Sequence, residues 1–582
     1  MSNLAPDTAA ATLGASLSHS PRELKFGTSG RRGPVVDLTQ LEVYINALAE
    51  LEYLQSLPPQ EGGILRGDEF YFAYDLRPSS TRYVAEEEGR GEVAQAIVCA
   101  ITDSGMRPVN LGSIPTPALT LYAIAQGKGS IMVTGSHIPF DRNGYKTNTS
   151  RGELLKHHEQ PIGRKVEEVR ARIYAAPFAS CLFDGHGRFQ TGHRDLPPVN
   201  DAARRAYIDR YVKFAGQDSL AGLKLLFYQH SAVGRELVPE ILERIGAGVI
   251  RAGYSDTFVP IDTENIDAAQ LAAIQALADA AVAEHGRIDA VVSTDGDSDR
   301  PLVLGVDPES GKVQFFGGDL VGMIVAEYLE ADAVVVPISC NDAIDRGPLA
   351  GVTEPKTRIG SPYVIAGMEA AVARGRRAVC GWEANGGFLT GSDIVRDGKT
   401  LRALPTRDAL LPILGALLSA QQKKLSLPEL FATLPCRFSC ASLLKQFPRA
   451  TALRIIERFM PADAAIRRVL FGKGVVALDG DDSPIAEPDE AALNAIRQDL
   501  ESFFSRARGF AKITGLDYTD GVRILFANED VAHIRPSGNA DELRIYAVAN
   551  TQARAEEIAA IGVAQDGILR AMERATDFPG LK

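Results

Sequence analysis

The chain has 582 residues, too many for one hydrophobic core; at roughly 150 residues per domain it should divide into three to five domains. Its residues are 45% apolar and 23% charged, as in an ordinary globular protein, and no run is long and apolar enough to span a bilayer. The formal net charge is −12 with no basic stripe, which argues against nucleic acid as a partner but allows a small anion held by a local cluster of Arg and Lys.

The opening stretch, MSNLAPDTAAATLGASLSHSP, lacks a basic region and an apolar core, so residues 1–21 read as a flexible tail and the protein as cytoplasmic. KFGTSGRRG (25–33) is a Gly-rich loop carrying Arg31 and Arg32, without the Lys-[Ser/Thr] ending of a P-loop. DEFYFAYDLR (68–77) reads as a strand and 82–104 as a helix. RPVNLG follows as a short strand, TPALTLYAIAQ as a helix and GSIMVTGS as a strand, the alternation of an α/β layer. That last strand runs into TGSHIPFDRNGYK (134–146), which places Ser136 and His137 where α/β folds display functional groups, with Lys146 downstream. Residues 150–200, including LFDGHGRFQTGHRDLPPVND, read as a loop or linker, with His186 and His193 as solvated residues.

The alternation restarts near 221 with LKLLFYQ, GRELVPEILERIG and GVIRAGY. A helix follows from Asp267 to Gly286, and then the strand IDAVVS runs into DGDSDR. Asp295, Asp297 and Asp299 are close enough to repel unless a cation compensates, and oxygen donors favour Mg²⁺ or Ca²⁺ over zinc. An EF-hand is excluded, because Arg300 and Val306 stand where it needs Gly and Glu. Arg300 adds a phosphate-binding group beside the metal. A third round from 317 ends in GWEANGG, where Glu383 and Asn385 suit sugar hydroxyls. Cys436 and Cys440 lack the partners of a zinc site. From 435 the texture becomes that of a smaller α+β domain. There RPSGNADELR offers Arg535, Ser537, Gly538 and Asn539 as an anion cradle, with Arg544 as a further substrate-binding candidate. The expected segments are 22–200, 201–313, 314–434 and 435–582.

FGTSGRRG, TGSHIPFDRNGYK, DGDSDR, GWEANGG and RPSGNADELR follow one another as landmarks, and over residues 22–550 the chain resembles the α-D-phosphohexomutase family. The resemblance implies three similar mixed α/β domains plus a C-terminal α+β domain of the TATA-binding-protein-like type around a central cleft. It implies interconversion of hexose 6-phosphate and hexose 1-phosphate through a phosphoserine and a hexose 1,6-bisphosphate, which also serves as activator. Ser136 matches the phosphorylated serine. Asp295, Asp297 and Asp299, with the phosphoserine, match the Mg²⁺ ligands. Arg32, His137 and Lys146 match residues that assist phosphoryl transfer and proton movement. Glu383 matches the sugar contact, and Arg535, Ser537, Gly538 and Asn539 match the loop that holds the non-reacting phosphate.

The chain departs from the family pattern at Ile138, at Asn539-Ala540-Asp541 and at Ala384-Asn385-Gly386-Gly387. TGSH and RPSGNA resemble phosphomannomutase-type members, which makes mannose phosphate the first choice; EANG also resembles phosphoacetylglucosamine mutases, and phosphoglucomutase or phospho(acetyl)glucosamine mutase are the alternatives. A phosphosugar is the expected partner and a monomer or homodimer the expected state, without nucleic acid or membrane. A Mg²⁺-dependent sugar phosphatase and a non-catalytic phosphosugar-binding paralogue are the readings from other classes.

Overall fold

The computed structural model describes residues 11–27, 30–264, 266–537 and 541–577. The chain forms two compact units. The first comprises the chain through Asp262 with Ala272–Leu304 and Arg396–Leu414; the second comprises Thr263–Leu271, Gly305–Val395 and the chain from Gly415 onward.

In the first unit, strands Arg107–Asn110, Glu69–Tyr74 and Ser130–Val133 run parallel, and Arg142–Thr149 returns antiparallel beside Ser130–Val133. Every residue of Ser130–Val133 is buried, which explains the unbroken apolar run: a central parallel strand is covered on both faces. The register pairs Met132 with Lys146, so residues 134–141 form the connection between two paired strands and Lys146 returns alongside the strand that delivers Ser136. A second parallel set, Gly248–Tyr254, Lys224–His230 and Ala290–Thr294, ends in the 295–300 loop.

Three expectations are corrected here. Residues 82–104 are not one helix: Tyr83–Val84 pairs with Arg90–Gly91 in a small hairpin and the helix is Val93–Asp103. Glu88, Gly89 and Gly91 all have positive φ, at 53°, 68° and 121°, which a helix cannot absorb. Residues 150–200 are not all loop, because Lys156–Tyr174 is a helix. Pro161 and Gly163 obscure it in sequence, but its buried stripe His158, Ile162, Val166 and Val169 has helical spacing. Residues 11–18 are docked and not free: Leu13 is buried and its N–H donates to the Ala176 carbonyl at 2.9 Å, in a short helix Leu13–Ser16.

The second unit carries Ala333–Val335 parallel to Val379–Trp382, with Phe388–Thr390 antiparallel to the latter. Helices Gly318–Tyr328 and Ser361–Ala373 belong to this layer. Its C-terminal part is a seven-stranded antiparallel sheet in the order Phe438–Lys445, Glu542–Ala549, Val531–Pro536, Val522–Phe526, Ile513–Asp517, Arg468–Phe471 and Val475–Leu478. Alternation such as Leu543, Ile545 and Ala547 turns one face to a core that takes in helices Arg449–Arg458, Glu490–Phe503, Gln552–Val563 and Ile568–Asp577.

Candidate active site

The connection 134–141 is held by buried charge. Thr134 Oγ1 and the Gly135 N–H donate to Asp75 Oδ2 at 2.9 and 3.2 Å, and the Ser136 N–H donates to Thr134 Oγ1 at 2.7 Å. Arg77, fully buried, donates to the carbonyls of Ser136, Ile138, Pro139 and Arg142 at 2.5–2.9 Å. The Phe258 ring lies 3.8 Å from its guanidinium carbon. So fixed, Ser136 adopts φ 54°, a conformation a non-glycine residue keeps only where its surroundings enforce it. The sequence suggested a displayed serine; the side chain is instead wholly buried, and its hydroxyl donates to Asp295 Oδ2 at 2.7 Å. His137 Nδ1 lies 3.3 Å from the same hydroxyl oxygen. A Cβ on Gly296 would come within 2.6 Å of the Ser136 carbonyl, so glycine is what lets the two loops touch.

The 295–300 loop winds tightly around its own first carboxylate. Asp295 Oδ1 accepts the N–H groups of Asp299 and Arg300 at 3.1 and 3.2 Å, and the Ser298 hydroxyl, at φ 56°, accepts the Gly234 N–H at 3.0 Å. This gathers one oxygen from each of Asp295, Asp297 and Asp299 within 4.8 Å of one another. Lys146 Nζ donates to Asp297 Oδ2 and Asp299 Oδ2, both at 2.7 Å. Thr116 Oγ1 donates to Asp297 Oδ2 at 2.7 Å, and Arg407 donates to Asp299 Oδ2 through Nε at 3.1 Å and Nη2 at 2.8 Å.

Burial and the Asp297 and Asp299 charges push the Asp295 carboxyl well above its usual range. Burial also opposes ionisation of the other two. Lys146 nevertheless holds Asp297 below the usual range, and Arg407 with Lys146 does so for Asp299. Asp297 Oδ1 and Asp299 Oδ1 are buried and accept no hydrogen bond from the described residues. Three clustered carboxylates with two such oxygens fit a hard, oxygen-seeking divalent cation. Arg300 Nε lies 3.6 Å from Asp299 Oδ1, and Arg32 is pushed down to about 10 by burial and by the Arg300 and Arg407 charges. Four cationic groups therefore crowd three carboxylates and a serine, a setting able to hold a phosphoryl group.

The remaining candidates lie in the second unit. Glu383 and Asn385 are buried in a tight turn, the Gly386 N–H donating to the Glu383 carbonyl at 2.8 Å and the Gly387 N–H to Asn385 Oδ1 at 3.0 Å. Arg535 Nε donates to Asp520 Oδ2 at 3.0 Å, and Arg544 Nη2 to Glu542 Oε2 at 3.0 Å. The Ser537 N–H donates to the Glu542 carbonyl at 2.9 Å; Gly538 and Asn539 lie outside the described residues. The sequence reading missed Thr116, Arg407, Asp75 and Arg77. The Asp-x-Arg-Pro run just past a buried strand was the available signal for the last two, while Arg407 stands 108 residues from its partner Asp299 in an unremarked stretch.

Comparison with known proteins gives the family. Four successive segments match the domains described for phosphoglucomutase/phosphomannomutase: alpha/beta/alpha domain I over 23–172, domain II over 205–307, domain III over 317–438 and the C-terminal domain over 483–563. The chain belongs to the phosphoglucomutase/phosphomannomutase family. It is 36% identical over 540 residues to a phosphomannomutase of Sinorhizobium fredii (93% of this chain, 98% of the relative). It is 34% identical over 538 residues to a phosphomannomutase of Salmonella muenchen (91% and 92%). A phosphoglucosamine mutase of Thermobifida fusca is 28% identical over 417 residues (70% and 80%). Among solved structures, a phosphoglucomutase/phosphomannomutase family protein of Burkholderia thailandensis shares the fold with a TM-score of 0.61 at 17% identity (97% and 99%).

Proposed function

We propose that the chain is a phosphomannomutase that interconverts mannose 6-phosphate and mannose 1-phosphate. The observation that carries the chemistry is the Ser136 hydroxyl on Asp295 inside a ring of three carboxylates and four cations. In the active form Ser136 Oγ carries a phosphoryl group. The P–O bond to Ser136 breaks as a free hydroxyl of the bound sugar phosphate attacks phosphorus, giving the 1,6-bisphosphate. The other phosphoryl group then returns to Ser136. Lys146, Arg300, Arg32 and Arg407 offset charge on the equatorial oxygens, and His137, 3.3 Å from Ser136 Oγ, is assigned the sugar proton. Mg²⁺ held by Asp295, Asp297, Asp299 and a phosphoserine oxygen would add a fixed positive charge at the transferring group. Glu383 and Asn385 are assigned to sugar hydroxyls, and Arg535, Ser537, Gly538, Asn539 and Arg544 to the non-reacting phosphate. Mannose is favoured over amino sugars because the two phosphomannomutases match over at least 91% of this chain, whereas the phosphoglucosamine mutase matches over 70%.

The test is phosphorus NMR of dephosphorylated enzyme with Mg²⁺ and mannose, glucose, glucosamine or N-acetylglucosamine 1-phosphate, with and without the matching 1,6-bisphosphate. The expected result is fastest conversion of mannose 1-phosphate, dependence on the bisphosphate and little free phosphate. Phosphate release matching substrate loss would identify a phosphatase instead. Ser136→Ala should abolish turnover and the phosphate mass increment of the fresh protein.

A further inference from the structure

A groove of about 1250 Å³ lies within the second unit, between residues 338–367 on one wall and 467–531 on the other. None of the residues assigned to the mutase reaction lines it. Its carboxylates are already engaged. Asp342 is gripped by Arg437, Asp345 by Lys356 and Glu354 by Arg374. Asp482 is held by Arg468, Glu529 by Arg346 and Asp530 by Arg554. Asp479 and Asp517 accept backbone N–H groups.

Arg346, Lys356 and Arg468 are matched by those pairs, but the other three lining cations are not. Arg523 is 5% exposed, and its one side-chain hydrogen bond among the described residues runs from Nη1 to the Ile338 carbonyl at 2.9 Å. No carboxylate among the described residues forms an ion pair with it, nor with Arg358 or Arg467 on the same walls. Burial and the Arg523 charge push the neighbouring Lys356 ammonium below its ordinary range. The Arg523 charge helps hold the Asp342 carboxyl below its usual range, but Arg437 grips that carboxylate, so an anion in the groove would give Arg523 an ion-pair partner of its own.

We propose that this groove is a second anion site, with room for a diphosphate group held by Arg523 from the 467–531 wall together with Arg467 and Arg358. Three planar guanidiniums suit the tetrahedral oxygens of phosphate, and the volume exceeds that of one phosphate. A ligand held from both walls would tie residues 338–367 to residues 467–531.

Inorganic pyrophosphate is the probe, measured by calorimetry on full-length Arg535→Ala protein, which lacks the cation assigned above to the substrate phosphate. Binding should persist in that variant and exceed that of mannose 6-phosphate. Adding Arg467→Glu, a change at a half-buried side chain, should weaken it at least tenfold with an unchanged melting temperature. Arg523→Gln should do the same, and if it does not fold the Arg467→Glu result decides. Loss of pyrophosphate binding in Arg535→Ala alone, equal binding with and without Arg467→Glu, or no binding to any form would each overturn the site. None of these outcomes depends on turnover, so failure here is separable from failure of the mutase reading.

Discussion

Arg407 and His230 act on the site from outside every motif. Arg407 meets Asp299 with two nitrogens in a buried setting, and removing one partner of such a pair costs about 3–5 kcal/mol because the other charge is stranded. Arg407→Ala should therefore lower kcat/KM by on the order of 100-fold with the fold retained by circular dichroism. Arg407→Lys should recover only part of that, having charge without the planar two-nitrogen grip. Equal activity of all three would remove Arg407 from the site. His230 ends the strand Lys224–His230, is fully buried, and donates from Nε2 to the Thr294 carbonyl at 2.8 Å. Burial pushes it from 6.5 down to about 4, so the folded state binds fewer protons than the unfolded state between those values. Its contribution is complete above pH 6.5 and is lost as pH falls toward 4, about 3 kcal/mol in all. Urea melts of His230→Gln should show a shallower loss of stability across that window than the parent; parallel profiles would contradict the assignment.

Helix Gly318–Tyr328 shows packing overriding propensity. Gly322 would ordinarily gain about 1 kcal/mol as alanine in a helix interior. Here the added Cβ would sit 2.4 Å from three atoms of the Trp382 indole, itself fully buried and stacked on Phe388 at 5.7 Å. Gly322→Ala should therefore destabilise, by roughly 1–3 kcal/mol in a denaturant melt; stabilisation would mean the indole moves freely. Strand Val531–Pro536 carries Arg535 to Asp520, whose Oδ2 also accepts the Ile359 N–H at 3.0 Å. Asp520→Asn should keep the hydrogen-bonding shape but loosen Arg535, raising KM for the phosphosugar about tenfold with little change in kcat. A change confined to kcat would place Arg535 elsewhere in the reaction. Elements of this kind were unevenly legible in the sequence. Strands Gly248–Tyr254 and Glu542–Ala549 coincide with their predicted runs, because short runs rich in β-branched and aromatic residues are a local signal. Helix Lys156–Tyr174 was hidden, because Pro161 and Gly163 mimic a linker and the stripe that pays for the helix is buried by tertiary contacts, chiefly with Gln40–Ser56 and also with Leu13–Ser16.

At the scale of the whole molecule, the serine and triple-aspartate motifs were readable because each follows a buried strand, and Lys146 because it lies in the same short run as Ser136, whereas their supports were not. Thr116, Arg77 and Arg407 come from distant stretches that only folding joins to Ser136 and the carboxylates. All of these groups, Arg32 and Arg300 included, belong to the first unit, while Glu383, Asn385 and Arg535 belong to the second. A cation taken up by Asp295, Asp297 and Asp299 would thus be held by one unit alone. It would discharge mutual repulsion there and give Asp297 Oδ1 and Asp299 Oδ1, which accept no hydrogen bond from the described residues, a ligand bond. In the absence of sugar, Mg²⁺ should therefore slow amide exchange in residues 134–146, 295–300 and 404–408 and leave 356–361, 381–387 and 513–536 unchanged. Asp297→Asn should abolish that protection, and excess chelator should reverse it and stop turnover. The measurement is hydrogen–deuterium exchange by mass spectrometry with and without Mg²⁺, on the parent and on the variant. Equal protection of both sets of segments, or protection that survives Asp297→Asn, would show that the cation is not seated on the three aspartates.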